Sequence, residues 1–146
     1  MRVRDVMTTD PACCTPETSI ETVANLMVDR DCGAIPVIGD LATRRPLGVV
    51  TDRDIVTRLI ATGRDPTSMI AADCMTTPVV TIAGDATIRD CVHMLETKKI
   101  RRAVVVDALG RCIGMISQAD IAMHASKWRT GDLVRLVSRR LHELAH

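Results

Sequence analysis

The sequence predicts an α+β fold made of two copies of one helix–strand–strand–helix unit. Residues 5–9 (DVMTT) recur as residues 73–77 (DCMTT), and residues 48–55 (GVVTDRDI) recur as residues 114–121 (GMISQADI). Between these motifs, helical apolar spacing is followed each time by two β-rich runs. Two such units fill most of the 146 residues, and units this small would each be only marginally stable alone. We therefore expect the two copies to share a core.

Each unit opens with a predicted amphipathic helix. Its apolar residues follow the spacing i, i+3, i+4 and i+7 that is typical of one helix face. Ser19 is a candidate N-cap in the first unit, and Thr87 with Asp90 is a candidate capping box in the second. The apolar positions are Ile20, Val23, Ala24, Met27 and Val28 in the first unit, and Ile88, Cys91, Val92 and Leu95 in the second.

Two strands and a closing helix follow in each unit. The uninterrupted apolar run 104–106 predicts a strand that is buried on both faces, and Gly110 predicts a turn between the last two strands. The closing helices are expected to begin near Asp52 and Gln118. The predicted strands are 34–38 and 47–51 in the first unit, and 102–107 and 112–117 in the second.

Gly, Pro and small polar residues divide the chain into segments. We expect a first unit at 3–62, a linker at 63–69 and a second unit at 70–125. Over residues 126–146 we expect a further amphipathic helix that has no counterpart after the first unit. Its apolar positions are Leu133, Leu136, Val137, Leu141 and Leu144.

Composition argues against several classes of function. The net charge is +1, with one Trp and no Phe or Tyr, so nucleic-acid binding is not favoured. The chain has neither an amino-terminal apolar run nor an 18-residue apolar stretch, so a cytoplasmic protein without membrane association is expected. The six cysteines form no C-x-x-C pair, which favours packing thiols over metal ligands. No catalytic motif surrounds the four histidines, so no enzymatic activity is expected.

Two features could hold a ligand. A Gly, a Ser or Thr, and an Asp recur at one spacing, as Gly48–Thr51–Asp54 and Gly114–Ser117–Asp120. The pattern fits a capping box, but a carboxylate at a helix start can also hold the hydroxyls of a sugar. Ahead of the first strand of each unit stand residues 33–34 (GA) and 101–102 (RR). The small pair lets a flat ligand approach the backbone, whereas the arginines suit phosphate oxygens unless they are solvated rim charges.

Together these motifs resemble the cystathionine-β-synthase (CBS) domain in tandem, over residues 3–124. The resemblance implies two β-α-β-β-α units packed about a pseudo-twofold axis. It also implies two clefts between the units that bind adenosine-containing ligands, namely AMP, ADP, ATP, S-adenosylmethionine or NAD. No metal is implied.

The resemblance assigns residues to two unequal clefts. In the second cleft, the positions that correspond to Arg101 and Arg102 are occupied by Gly33 and Ala34, which carry no charge. Phosphate binding there would therefore depend on Arg53. For this reason the first cleft is the favoured binding site. The first cleft takes Thr8, Ala12, Cys32, Gly33, Ala34, Pro36, Arg101, Arg102, Ser117 and Asp120. The second takes Thr76, Val79, Ile100 and Ala103, with Thr51, Arg53 and Asp54 from the first unit.

The implied function is that of a stand-alone, non-catalytic regulatory protein that binds an adenine nucleotide, forms a homodimer and acts on an unknown protein target. Two alternatives remain open. The chain could be a nucleic-acid-associated or scaffolding protein that uses its last helix, which carries Arg129, Arg135, Arg139 and Arg140. It could also be a thiol redox sensor that uses Cys13 or Cys14.

Overall fold

The computed structural model describes residues 1–127. The amphipathic helix expected over 126–146 therefore lies outside the described residues, apart from its first two positions. The first half of the chain contains β1 (Thr8–Thr9), α1 (Ile20–Arg30), β2 (Ala34–Ile38), β3 (Pro46–Thr51) and α2 (Asp52–Asp54), which continues as a π-helical segment, Ile55–Ile60. The second half contains β4 (Thr81–Ala83), α3 (Ile88–Lys98), β5 (Arg102–Val106), β6 (Cys112–Ser117) and α4 (118–127).

The helices and the two strands predicted in each unit form close to the expected positions, whereas β1 and β4 were implied only by the resemblance to the CBS domain. The Ser19 hydroxyl caps α1 by accepting a hydrogen bond from the Thr22 N–H at 3.1 Å. Asp31 ends α1 in the left-handed region, with φ at 49°. Gly110 has a φ of 78° in the turn between β5 and β6, a conformation that glycine adopts without steric cost. The α+β class is therefore confirmed.

The buried face of α1 is narrower than its apolar spacing predicts. Ile20 and Val23 are buried, but Ala24 is exposed and Val28 is 78% exposed. Met27 is half-buried against the core of the first unit. Only one side of the helix meets the sheet, so the last apolar position faces away from the core and leaves an apolar side chain at the surface.

The two units exchange their opening segments. β1 pairs with β6 of the second unit, with Thr8 opposite Met115 and Thr9 opposite Gly114. The resulting four-stranded sheet has the order β1-β6-β5-β4. In return, Thr76 bridges to Val49 beside the β2–β3 pair. Each sheet is thus extended by the Met-Thr motif of the other sequence unit, a reciprocal arrangement expected of a pseudo-twofold axis.

The buried cores follow the same exchange. Val3 packs in the core of the second unit with Cys91 and Leu95, whereas Ala71 and Cys74 pack in the core of the first. A third cluster, formed by Ile38, Val104 and Cys112, joins the two units. The units therefore cannot separate without exposing apolar surface whose burial is the main favourable term in folding.

None of the helices within residues 1–127 is both long and apolar enough to cross a membrane.

Candidate functional site

The repeated Ser/Thr and Asp motifs form reciprocal capping boxes at the starts of α2 and α4. The Thr51 N–H donates to Asp54 Oδ2 at 3.0 Å, and the Asp54 N–H donates to Thr51 Oγ1 at 3.0 Å. The Ser117 N–H and the Asp120 N–H make the same two bonds, both at 3.1 Å. Each motif therefore has a structural role, and any binding role depends on which carboxylate oxygens remain available.

A cavity of about 650 Å³, called cleft one here, opens between the two units. Nine of the ten residues assigned to it from the sequence line its wall, and both units contribute. Pro36 does not, because it is buried within β2, where its carbonyl accepts a hydrogen bond from the Cys14 N–H. The lining residues expected from the sequence are Thr8, Ala12, Cys32, Gly33, Ala34, Arg101, Arg102, Ser117 and Asp120.

Several residues of cleft one were not expected from the sequence. They come from the loop after β1, from the end of α1, and from the β6–α4 turn. Asp31 could have been suspected, because α1 has to end just before β2 and a residue at that helix end faces the next loop. The unexpected lining residues are Asp10, Pro11, Arg30, Asp31, Met115, Ile116, Gln118 and Ala119.

Gly33 lies close to the side chain of Asp52, which is exposed, at the start of α2. A Cβ atom at this position would lie 2.9 Å from Asp52 Oδ2, closer than a carbon normally comes to an oxygen. The Gly33 carbonyl accepts a hydrogen bond from the Asp52 N–H at 3.0 Å, and the Arg101 carbonyl accepts one from the Gln118 N–H at 2.8 Å. These matching bonds fix each strand entry against the helix start of its own unit.

Arg101 and Arg102 supply positive charge to both clefts. Arg102 is half-buried and Arg101 is exposed, and both line the two cavities. Neither guanidinium forms a hydrogen bond or ion pair with another residue in the part of the chain that the structure describes. Cleft one also contains Arg30, which donates to the Asp10 carbonyl at 3.5 Å. Unpaired guanidiniums at a cavity wall are suited to bind phosphate oxygens.

The second cavity, called cleft two here, has a volume of about 660 Å³. Of the residues assigned from the sequence, Thr51, Arg53, Thr76 and Ile100 line it. Val79 instead packs against the cluster that joins the units, and Ala103 is buried in the second core. Cleft two is more basic than the sequence suggests. Its lining residues are Val49, Thr51, Asp52, Arg53, Thr76, Val80, Lys99, Ile100, Arg101 and Arg102.

Asp54 is not among the residues that line cleft two. It is 8% exposed, and Arg58 Nε lies 3.6 Å from its Oδ1 atom. The Thr76 hydroxyl lies 3.4 Å from Oδ2, which also accepts the Thr51 N–H. Asp120, by contrast, lines cleft one, and within the described residues only the Ser117 N–H bonds to its carboxylate. The two motif acids therefore have different surroundings despite their matching sequence positions.

This arrangement defines a class of protein: a two-unit α+β domain with cavities of ligand size where the units meet. The model of the CBS domain family matches residues 3–61 and 71–127. The chain therefore belongs to the CBS domain family, as a tandem pair.

Known proteins of this family resemble the chain along most of its length. An uncharacterised protein of Methanopyrus kandleri is 33% identical over 118 residues, which are 81% of this chain and 57% of that protein. The chain thus spans little more than half of that relative. Hypoxic response protein 1 of Mycobacterium tuberculosis is 31% identical over 121 residues, which are 83% of this chain and 82% of that protein.

Solved structures share the fold. A crystal structure of hypoxic response protein 1 with two coordinated zinc ions has a TM-score of 0.73 and covers 85% of this chain and 98% of its own. The complex of Arabidopsis thaliana CBSX2 with AMP has a TM-score of 0.71 at 26% identity, and it covers 88% of this chain and 98% of its own. Within residues 1–127 of the present chain, no three His, Cys, Asp or Glu side chains come together as a metal site would require.

Proposed function

We propose that this chain is a regulatory module that binds an adenosine-containing ligand in cleft one. The proposal rests on three side chains that line the same cavity. Asp120 offers a carboxylate with an available oxygen, and Arg101 and Arg102 offer two guanidiniums that pair with no other described residue. A volume of about 650 Å³ lies within the usual range for small-molecule sites. A similar fold that holds AMP in CBSX2 supports the choice of ligand.

The parts of the ligand are assigned by chemistry. The backbone at Cys32, Gly33 and Ala34 lets the flat adenine ring approach closely. Asp120 accepts hydrogen bonds from the ribose hydroxyls, and the guanidiniums of Arg101 and Arg102 bind phosphate. Since the adenine wall comes from one unit and the sugar and phosphate groups from the other, the ligand bridges the two units.

We assign cleft two a weaker role in ligand binding. Its cations are sufficient for a phosphate, because Arg53 and Lys99 line it together with the shared arginines. Its motif acid is less suitable, because Asp54 is already engaged by Thr76 and Arg58. A sugar would have to displace those partners, and this costs binding free energy.

Regulation follows from binding across the two units. A ligand that bridges them favours the relative arrangement to which it binds more tightly, and a partner protein then responds to that arrangement. The chain itself carries out no catalysis in this proposal, and it acts in the cytoplasm.

A homodimer remains our prediction, supported by exposed apolar side chains on α1, the segment after α2, and α4: Val28, Val56, Ile60 and Met123. Sedimentation at several concentrations would test it.

A thermal-shift panel tests the proposed function. AMP, ADP, ATP, NAD and S-adenosylmethionine would each be added to protein first shown by mass spectrometry to be free of bound ligand, with CMP as the matched control. A ligand at about 100 times its dissociation constant adds about 2.7 kcal/mol to the stability of the folded state. At least one adenosine ligand should raise the unfolding midpoint and CMP should not. If no adenosine ligand does so, the proposal is wrong.

A further inference from the structure

Two cysteines from different sequence units meet where the units join. Cys112 begins β6 and is 1% exposed, and it belongs to the apolar cluster that it forms with Ile38 and Val104. Cys13 is half-buried and packs against the same cluster. The Cys13 thiol donates to the Pro11 carbonyl at 3.3 Å, and the Cys112 thiol contacts the Gly114 carbonyl at 3.9 Å. The two thiols, far apart in sequence, are close enough for each to shift the pKa of the other.

Arg44 holds this pair from the loop between β2 and β3. Its Nη2 atom lies 3.5 Å from Cys13 Sγ, and its Nε–H donates to the Cys112 carbonyl at 3.2 Å. The Cys112 N–H donates in turn to the Arg44 carbonyl at 2.9 Å. A guanidinium beside a sulfur atom favours the thiolate over the thiol.

The chemical state of this pair differs from that of the other buried cysteines. The neighbouring Cys13 thiol lowers the pKa of Cys112 to about 7, and Arg44 acts in the same direction while burial opposes it. The pKa of Cys13 is raised, chiefly by Cys112 and then by burial. Burial raises the pKa of Cys14 to about 12, and it also raises those of Cys74 and Cys91. The lowered pKa of Cys112 favours its thiolate, the nucleophilic form, near neutral pH.

We propose that Cys13 and Cys112 are a redox-active dithiol that closes to a disulfide between the two units when a hydroperoxide is present. Because Cys112 is 1% exposed, peroxide approaches it past the half-buried Cys13. The Cys112 thiolate then attacks the peroxide, the O–O bond breaks, and Cys112 becomes a sulfenic acid while one oxygen leaves as hydroxide and is protonated. The Cys13 sulfur then attacks the Cys112 sulfur, the S–S bond forms and water leaves. The two sulfurs together lose two electrons, and hydrogen peroxide is reduced to two waters.

The position of the pair couples this reaction to cleft one. Ala12, next to Cys13, lines the cleft from the first unit, and Met115 on β6 lines it from the second. A disulfide would fix these two walls relative to each other, whereas the dithiol leaves their spacing to noncovalent packing. The inference does not depend on the identity of the ligand, and it has its own test.

The test uses the full chain in its reduced form, treated with hydrogen peroxide and then digested without reductant. We expect a tryptic species in which residues 5–30 are linked to residues 112–127, with two thiols lost from the six of the chain. The species should disappear after treatment with dithiothreitol. Cys13 and Cys14 lie on one tryptic peptide, so Cys13→Ser and Cys14→Ser are compared: only the former should abolish the link. Cys32→Ser, which removes an exposed thiol, should leave it intact.

The Cys13→Ser variant gives a second readout. Cys112 should then stop at the sulfenic acid, which dimedone labels. Either of two results would overturn the proposal: a folded wild-type protein that keeps all its thiols under peroxide, or a disulfide that forms through another cysteine or between chains. Cys112→Ser is not needed for the decision, because the wild-type peptide map and Cys13→Ser settle it even if that variant does not fold.

Discussion

The Thr76 hydroxyl lies 3.4 Å from Asp54 Oδ2, so an opening motif of the second sequence unit contacts the capping acid of the first. Arg58 Nε also contacts this carboxylate, at 3.6 Å from Oδ1. We expect Asp54→Ala to lower the free energy of unfolding by about 2 kcal/mol, because a largely buried, charged acceptor is lost. Asp120→Ala should cost about 1 kcal/mol, because it removes one hydrogen bond of the capping box, the one that the Ser117 N–H donates. Urea unfolding of both variants measures the difference, and a larger cost for Asp120→Ala would contradict this account.

Ligand affinity should show the opposite order. Asp120 lines cleft one, and in our proposal it holds the ribose, so Asp120→Ala should weaken AMP binding by roughly 10- to 150-fold, the equivalent of about 1.5–3 kcal/mol. Asp54→Ala should change the affinity much less wherever the variant is still folded. Calorimetric titration with AMP compares the two. Equal losses would remove the reason for ranking cleft one above cleft two.

The paired arginines should distinguish phosphorylated ligands from adenosine. Replacing Arg101 and Arg102 with Gln removes charge but keeps similar bulk, so AMP and ATP should bind at least about tenfold more weakly, as expected for lost charge-assisted hydrogen bonds. Adenosine should be unaffected, because its contacts remain. Stability without ligand should hold or rise, because two unpaired like charges are removed. A similar loss for adenosine and AMP would show that these arginines do not bind phosphate.

The exchanged segments depend on two glycines at matching positions. A Cβ atom at Gly48 would lie 2.7 Å from the Thr76 carbonyl oxygen, and one at Gly114 would lie 2.8 Å from that of Thr8. Because backbone atoms must move to admit the methyl group, Gly48→Ala and Gly114→Ala should each destabilise the fold by about 1–3 kcal/mol. Gly39→Ala is the control, since its nearest neighbour is Leu47 Cδ1 at 3.8 Å. Thermal unfolding measures the stability of all three variants. If Gly39→Ala lowers the unfolding temperature as much as the other two substitutions do, the close approach at Gly48 and Gly114 is not the cause.

Titration of the thiols tests the charge state of the dithiol before any oxidation. The neighbouring Cys13 thiol lowers the pKa of Cys112 to about 7, so one thiolate per chain should appear as the pH rises through that value. Cys13→Ala removes this neighbour and should shift the transition upward, toward about 8.5 or above for an ordinary or buried thiol. Ultraviolet absorbance of the thiolate follows the titration. A native chain with no thiolate below about pH 8 would contradict the assignment.

Local sequence patterns determined the elements and their caps. The helical spacing from Ile20 predicts α1, the run 104–106 predicts a strand buried within the sheet, and the Thr51 and Ser117 motifs predict the capping boxes. These features involve residues only a few positions apart, so the chemistry of neighbouring residues specifies them. The resemblance to the CBS domain, carried by the doubled motifs, also implied two clefts with contributions from both units.

Contacts between distant residues were decided only by the tertiary structure. Asp54 and Asp120 occupy the same position of the repeated motif, but Asp54 is buried in a hydrogen-bond network whereas Asp120 lines a cavity. The reason is that Thr76 and Arg58 contact Asp54 and do not contact Asp120. Likewise, Lys99 lines cleft two, and Cys13 packs against the cluster that contains Cys112. Neither contact could be predicted from neighbouring residues in the sequence. The sequence by itself specified which groups are present and their local backbone. Which of these groups meet depends on the crossing of β1 to β6 and of Thr76 to Val49, because packing the two units together buries the apolar surface that neither can bury alone.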